Sequence, residues 1–360
     1  MNIRKNVVGM LPYQPGKPIA EVKRELGLSE VIKLASNENN LGPSNKVIKA
    51  IKKATSEIGF YPDGSSYALR QALANKLKVS SNNIIVGNGS NELLVLLGLA
   101  LLNPGDEVLT SDQTFIVYKM VADLMQAKLV TVPLEKYTYN LPALLKKITS
   151  KTKIIFIANP NNPTGTAVAK QAVHDFLQKV PSSCLVVLDE AYHEYASYRI
   201  VGNSIPWVKQ YSNLVVLRTF SKAYGLAGLR LGYGAASPDI CEAIHKVRDP
   251  FNINVIAQIA GIAALEDQQH IKKSVALVNS EKKRVSKLLT KLNLKVVPSQ
   301  TNFLWVELPQ GQTSEVFSKK MLQQGIIIRP FKGSYIRITL GRVSENNRML
   351  KVIRNVLASI

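Results

Sequence analysis

The chain has 360 residues, 46% of them hydrophobic, and a formal net charge of +21. This length and apolar content argue against disorder and favour large buried cores in two domains. Two cysteines, Cys184 and Cys241, are too few for a disulfide framework and fit a reducing compartment. Apolar runs fall short of the roughly 20 residues of a membrane helix, and the N-terminus has no signal-peptide core. We expect a cytoplasmic protein with no membrane partner.

The positive charge is spread along the chain. Lysine and arginine form no block, and no basic motif is interleaved with aromatic residues. We therefore expect a generally basic surface that attracts small phosphorylated molecules and binds no nucleic acid. A basic nucleic-acid-binding protein is the alternative, and it would show a steep salt dependence.

Six short apolar runs predict strands in the first two thirds of the chain. They are residues 83–87, 106–110, 128–132, 153–158, 184–189 and 213–219. Their nearly continuous apolar character is typical of parallel strands covered on both faces. Amphipathic stretches such as 91–102 and 169–179 separate most of them. This alternation predicts an α/β fold with a doubly wound, mostly parallel sheet.

The pattern changes after about residue 250. Residues 252–292 predict a long, interrupted helix, and shorter strand and helix patterns follow it. We predict an N-terminal arm (1–40) associated with a smaller domain, a large domain (41–250), and an interdomain helix with a small α+β C-terminal domain (251–360).

Polar residues follow four of the predicted strands, where α/β sheets bind ligands. Gly89 and Ser90 open a helix whose free N–H groups suit a phosphate, although the pair also fits a simple cap. The turn "NPNNPTG" (159–165) fixes Asn162. Asp189 ends an apolar strand in "DEAYHEY" and must find a partner there.

Lys222 lies in the fourth of these segments, "TFSKAYGLAGLRLGY", among small residues and eight residues before Arg230. A confined lysine beside a cation is a candidate chemical amine. One ligand accounts for all four strand ends, a phosphorylated pyridine aldehyde: pyridoxal 5′-phosphate (PLP). Lysine forms a Schiff base with the aldehyde, an aspartate holds the pyridine nitrogen protonated, and arginine binds the phosphate.

These four motifs resemble those of the aspartate-aminotransferase-like family of PLP-dependent enzymes. The segments "LPYQPGKP", "LASNENNLGPS" and "YPDGSSYALR" resemble the histidinol-phosphate aminotransferase branch of that family. The resemblance covers the chain from about Val8 to its final helix. It implies a large PLP-binding domain, a smaller α+β domain and a homodimer with shared active sites.

The resemblance also implies a role for each candidate residue. Lys222 would form the Schiff base and move the substrate proton, with Asp189 on the pyridine nitrogen and Tyr192 on the ring hydroxyl oxygen. The remaining cofactor contacts would come from Gly89, Ser90, Phe115, Asn162, Thr219, Ser221 and Arg230. Phe115 would stack on the ring, where relatives often have tyrosine. No metal is expected.

Tyr61 would reach the cofactor phosphate of the neighbouring subunit; read alone, it is a surface tyrosine. Arg329 and Arg337, arginines among isoleucines, would bind the substrate's phosphate and the carboxylate of glutamate. Tyr13 and Asn37 would close the site.

The implied reaction interconverts L-histidinol phosphate and 2-oxoglutarate with imidazole-acetol phosphate and L-glutamate, in histidine biosynthesis. Three alternatives share the same motifs or fold. They are an aromatic amino acid aminotransferase, a decarboxylase of phosphorylated threonine, and a regulator that carries this fold beside a DNA-binding domain.

Overall fold

The computed structural model describes residues 2–13 and 16–359. Its α-helices are α1 (Lys5–Val8), α2 (Ile19–Leu26), α3 (Asn45–Ala54), α4 (Tyr67–Leu77), α5 (Ser90–Leu101), α6 (Val117–Leu124), α7 (Leu141–Lys147), α8 (Lys170–Leu177), α9 (Tyr198–Val201), α10 (Pro238–Val247), α11 (Val255–Glu266), α12 (Gln268–Lys291), α13 (Ser314–Gln323) and α14 (Val343–Ala358). Its strands are β1 (Ile32–Lys33), β2 (Ile84–Gly87), β3 (Glu107–Ser111), β4 (Lys128–Val132), β5 (Thr152–Ala158), β6 (Leu185–Asp189), β7 (Leu214–Thr219), β8 (Gly232–Ala235), β9 (Lys295–Val297), β10 (Phe303–Glu307), β11 (Ile326–Ile327), β12 (Arg329–Pro330) and β13 (Tyr335–Thr339).

A seven-stranded sheet in the order β2-β8-β7-β6-β5-β3-β4 forms the centre of the molecule. Only β8 within it runs antiparallel to its neighbours. All six strands predicted from the apolar runs are present within about one residue of their expected bounds. The predicted α/β, mostly parallel architecture is confirmed, and the carboxyl ends of β2, β3, β5, β6 and β7 share one edge.

Two strands depart from the prediction. β8 was not predicted, because Gly232 and Gly234 give it no β-branched pattern. A Cβ on Gly232 would lie 2.1 Å from the backbone nitrogen of Ser90, so this glycine lets β8 approach the start of α5. β4 is an edge strand whose Lys128 and Thr131 are exposed, so the expectation that every strand is covered on both faces is wrong there.

A second, antiparallel sheet has the order β12-β13-β10-β9, and β1 pairs in parallel with β11 beside it. The predicted long helix is interrupted at Asp267, whose side chain caps α12 by accepting from the His270 N–H at 3.1 Å. The first part, α11, packs against α3 and α4. The domain boundaries of the sequence analysis stay a prediction. Within the described ranges, no helix has the length and apolarity needed to cross a membrane.

Candidate active site

A cavity of about 1020 Å³ lies where the carboxyl edge of the seven-stranded sheet meets the four-stranded sheet. Its walls come from the N-terminal arm, both sheets and the turns after the central strands. The candidate residues that line it are Tyr13, Asn37, Ser90, Phe115, Asn162, Asp189, Tyr192, Thr219, Ser221, Lys222, Arg230, Arg329 and Arg337. Residues far apart in sequence therefore share one chamber.

Lys222 follows β7 and is half-buried. Its Nζ donates to the carbonyl oxygen of Ser36 at 3.3 Å and lies 5.7 Å from the centre of the Tyr192 ring. Burial, and then the guanidinium of Arg337, lowers the pKa of Lys222 to about 8. A sizeable unprotonated fraction is therefore present near neutral pH, as a nucleophilic or basic amine requires.

Asp189 is buried at the end of β6. Its Oδ2 accepts from the Tyr118 hydroxyl at 2.9 Å, and its Oδ1 accepts from the Ala191 N–H at 3.2 Å. Burial raises the pKa of Asp189 to about 6, although both hydrogen bonds favour the carboxylate. A cationic group in the cavity would stabilise this carboxylate further.

Tyr192 and Asn37 form a buried pair on another wall. The Asn37 side-chain amide donates to the Tyr192 hydroxyl at 2.9 Å. Asn37 has a positive φ of 56°, and Thr339 holds it by hydrogen bonds of 2.9 and 3.0 Å. Burial raises the pKa of Tyr192 to about 12, so its hydroxyl remains protonated and able to donate.

The start of α5 and Arg230 form a cradle at the carboxyl edge of the central sheet. Gly89 caps α5 at a φ of 82°, and a Cβ there would lie 2.6 Å from Nη2 of Arg230. Nη1 of Arg230 donates to the Ala227 carbonyl oxygen at 3.0 Å. The first N–H groups of α5 and an exposed guanidinium together suit an anion. Gly89 is not among the residues that line the cavity, but its lack of a side chain leaves room for the guanidinium of Arg230.

Arg337 supplies a second cationic wall. It is 8% exposed and lies opposite Arg329 in the register of β12 and β13. Its guanidinium donates to neutral oxygens, Oδ1 of Asn162 and the Ala35 carbonyl, both at 2.6 Å. Burial lowers the pKa of Arg337 to about 10, and its Nε has no partner within the described residues. Two cross-strand arginines at one cavity suit a second anion.

Two aromatic candidates have different surroundings. Phe115 is half-buried at the rim of the cavity, in the turn between β3 and α6. Tyr61 does not line the cavity of its own chain. It is 83% exposed and stacks on Phe251, with ring centres 4.8 Å apart.

The family model "Aminotransferase class I and II" matches residues 29–353. The chain belongs to the aminotransferase class I and II family. It is 47% identical to the histidinol-phosphate aminotransferase of Anaeromyxobacter sp., covering 98% of both chains. It is 44% identical to that of Moorella thermoacetica, covering 99% of this chain and 93% of the relative.

A solved structure with the same fold is the histidinol-phosphate aminotransferase of Sinorhizobium meliloti, in complex with pyridoxal-5′-phosphate. It is 30% identical, with a TM-score of 0.91, and covers 99% of this chain and 98% of its own. The resemblance to histidinol-phosphate aminotransferases that the motifs indicated is confirmed, and so is the aspartate-aminotransferase-like fold.

Sequence reasoning missed several groups that contact the candidate residues of this aminotransferase. Tyr118, which contacts Asp189, reads as an ordinary core residue of α6; its only signal is its place one turn after Phe115. The carbonyl oxygen of Ala35 accepts from Arg337, and that of Ser36 accepts from Lys222. The sequence cannot reveal these contacts, because every residue has a backbone carbonyl. Among the described residues, no cluster of three His, Cys, Asp or Glu side chains is arranged to hold a metal ion.

Proposed function

We propose that this chain is a PLP-dependent aminotransferase of histidine biosynthesis. It interconverts L-histidinol phosphate and 2-oxoglutarate with imidazole-acetol phosphate and L-glutamate. The observation that carries the proposal is one cavity with an amine of lowered pKa, Lys222, between two cationic regions. One region fits a cofactor phosphate and the other a substrate anion. The names of the relatives support the same reaction and do not favour an aromatic amino acid aminotransferase.

The cavity fits PLP in its donor chemistry. Arg230, which packs where a Cβ on Gly89 would lie, and the first turn of α5 suit the phosphate. The buried carboxylate of Asp189 suits a protonated pyridine nitrogen. We propose that the phosphate is held by Gly89, Ser90, Thr219, Ser221 and Arg230, the ring oxygen by Asn162 and Tyr192, and the ring face by Phe115.

Bound PLP supplies a reactive aldehyde and a ring that takes up electrons. The chain's own groups then do the positioning and the proton transfer. Lys222 Nζ, with a pKa of about 8, takes a proton from the Cα of the amino donor. In the second half-reaction it delivers a proton to the Cα of the product glutamate. Asp189 holds its charge against the ring nitrogen, and Tyr192 donates from a hydroxyl that stays protonated.

Arg329 and Arg337 define the substrate end in this proposal. They bind the phosphate of histidinol phosphate in one half-reaction and a carboxylate of 2-oxoglutarate or glutamate in the other. A guanidinium offers paired donors to either anion. Tyr13, exposed on the arm, and Asn37 close the same end of the cavity.

We further propose a cytoplasmic homodimer in which Tyr61 completes the partner's site. Tyr61 belongs to an exposed apolar stretch with Ile58 (68% exposed), Phe60 (80%) and Tyr67 (64%). Such neighbouring apolar side chains are costly in water and mark an interface. A second copy of the chain would cover these side chains, and Tyr61 would then lie at the phosphate cradle of that second copy.

Subunit mixing tests the homodimer. Lys222→Ala and Tyr61→Ala chains, unfolded together and refolded, form mixed dimers. Each mixed dimer has one site with an intact Lys222 and an intact Tyr61. Activity above that of either pure variant is expected; activity equal to their average would contradict a shared site.

The reaction itself is tested by steady-state transamination with 2-oxoglutarate. The donors are L-histidinol phosphate, L-histidinol without its phosphate, and L-phenylalanine. We expect kcat/KM to be highest for the phosphorylated donor and to fall by roughly 100-fold or more when the phosphate is absent, because two arginines then lose their anion. Equal or greater kcat/KM for phenylalanine would move the function to aromatic aminotransferases.

A further inference from the structure

Tyr118 is a fully buried residue of α6 that contacts two parts of the proposed cofactor site. Its hydroxyl donates to Oδ2 of Asp189 at 2.9 Å. Its ring meets Phe115 edge-on, with centres 5.7 Å apart and an interplanar angle of 87°. On another side it stacks on Phe156 at 4.7 Å and 7°. These ring contacts fix the direction in which the hydroxyl points.

The hydroxyl is constrained in its chemistry as well. Burial, with the nearby charge of Asp189, holds the pKa of Tyr118 well above its ordinary value, so the group stays protonated. Toward an ionised Asp189 it can act only as a donor, and a donor stabilises the carboxylate. The Ala191 N–H occupies the other oxygen. Each carboxylate oxygen accepts more than one hydrogen bond, so capacity remains for a cation in the cavity.

We propose that Tyr118 is a positioning residue that holds Asp189 as an oriented carboxylate for the pyridine nitrogen and so sets the affinity of the chain for PLP. The inference rests on the proposed function, in which Asp189 faces that nitrogen. Through its edge contact with Phe115, Tyr118 also keeps the stacking ring and the carboxylate in one rigid unit. Its hydroxyl acts through Asp189 and has no part in proton transfer to the substrate.

The variant Tyr118→Phe removes one oxygen and keeps the packed ring. Two dissociation constants are measured by titration of the cofactor-free full chain near pH 8. One is for PLP, and the other is for its carbocyclic analogue, in which a C–H replaces the pyridine nitrogen. We expect Tyr118→Phe to weaken PLP binding by roughly 10-fold, the usual effect of a lost hydrogen bond to a charged group. Binding of the analogue should be unchanged, because Asp189 has no ring nitrogen to meet.

Tyr139→Phe is the matched control. Tyr139 is also buried, and its hydroxyl bonds with Thr110 Oγ1 at 3.2 Å and Thr114 Oγ1 at 2.6 Å instead of Asp189. Both dissociation constants should remain at the wild-type values in this variant. A merely structural loss of a buried hydroxyl would affect the two variants alike.

Two results with Tyr118→Phe would overturn the inference. Equal weakening of PLP and the analogue in Tyr118→Phe would assign the residue to packing, and wild-type affinity for PLP would remove any role. Asp189→Asn distinguishes a failure of the role proposed for Asp189 from a failure of the role proposed for Tyr118. If it binds both ligands as the wild type does, the role of Asp189 in the proposed function fails as well. If it loses affinity for PLP alone while Tyr118→Phe does not, only the inference about Tyr118 fails.

Discussion

Arg337 Nη1 donates a hydrogen bond of 2.6 Å to Oδ1 of Asn162, and this contact joins the small antiparallel sheet to the turn after β5. Its Nη2 donates to the Ala35 carbonyl oxygen, so the same guanidinium also contacts the segment that leads to Asn37. A residue proposed to bind substrate is thus tied directly to a residue proposed to bind the cofactor. In the proposed function, this contact would fix the position of the substrate anion relative to the cofactor ring.

The variant Arg337→Lys tests this coupling. Lysine keeps a positive charge but cannot donate to Asn162, Ala35 and an anion with the fixed fork of a guanidinium. We expect the KM for L-histidinol phosphate to rise by roughly 10-fold or more, with a smaller loss in kcat. Steady-state kinetics with L-histidinol phosphate and with L-phenylalanine provides the measurement.

Arg348→Lys is the control for Arg337→Lys, because Arg348 forms an exposed ion pair with Glu30 and neither residue lines the cavity. The KM of Arg348→Lys for L-histidinol phosphate should match that of the wild type. If Arg337→Lys raises the KM for phenylalanine alone, the substrate assignment is wrong.

The lowered pKa of Lys222 predicts a change in stability. In the folded, cofactor-free chain this pKa is about 8, against an ordinary value of 10.5. The unfolded chain therefore binds more protons between these two pH values, and stability rises with pH across that window. Below pH 8 Lys222 is protonated in both states, and burying its charge lowers the stability of the folded chain by the full amount. Lys222→Met should raise the free energy of unfolding at pH 7 by about 1–3 kcal/mol while abolishing turnover.

Urea unfolding of cofactor-free wild type and Lys222→Met at pH 7 and near pH 10.5 measures this effect. The gain should shrink at the higher pH, where wild-type Lys222 is neutral in the folded chain and only about half of it is still protonated in the unfolded chain. A gain that does not vary with pH would come from apolar packing alone and would refute the charge argument.

Breaking the buried ion pair between Arg218 and Glu190 should greatly reduce the stability of the chain. Arg218 donates to Oε2 of Glu190 from Nε at 2.9 Å and from Nη2 at 2.8 Å, and Ser204 donates to Oε1 at 2.6 Å. Burial alone would raise the pKa of Glu190, but Arg218 and its other partners hold it below the ordinary value. Arg218→Leu leaves that charge unpaired and should cost about 3–5 kcal/mol in unfolding free energy.

The double variant Arg218→Leu with Glu190→Leu provides the comparison. Removing both charges should recover part of the loss, because the uncompensated carboxylate is then gone. Urea unfolding at neutral pH reports both values. A double variant as unstable as the sum of its single variants would show that the two side chains do not act as a pair.

Lys222, Asp189 and Arg337 could be singled out because Asp189 ends an apolar strand, Arg337 lies between isoleucines and Lys222 lies among small residues after a strand. Charges in such surroundings are costly unless they have a partner. The central strands were predictable for the same physical reason, since burial on both faces leaves a continuous apolar pattern. The roles of these residues remain proposals, although the structure brings their side chains to one cavity.

Other features leave no such trace. β8 contains Gly232 and Gly234, whose value lies in close backbone approach and not in side-chain pattern. Tyr118 looks like any aromatic core residue until its hydroxyl is placed against Asp189. The proposed role of Tyr61 depends on a second chain, and one sequence carries no geometry between copies.

The visible absorption of the PLP-loaded protein tests most directly whether histidinol phosphate is the preferred amino donor. The band of the lysine-bound cofactor is followed in a rapid-mixing experiment, first with L-histidinol phosphate and then, separately, with L-phenylalanine. We expect fast bleaching by histidinol phosphate and slow bleaching by phenylalanine, because the proposed role of Arg329 and Arg337 is to bind the donor's phosphate. Faster bleaching by phenylalanine would contradict the proposed substrate while leaving the fold, the cofactor and Lys222 in place.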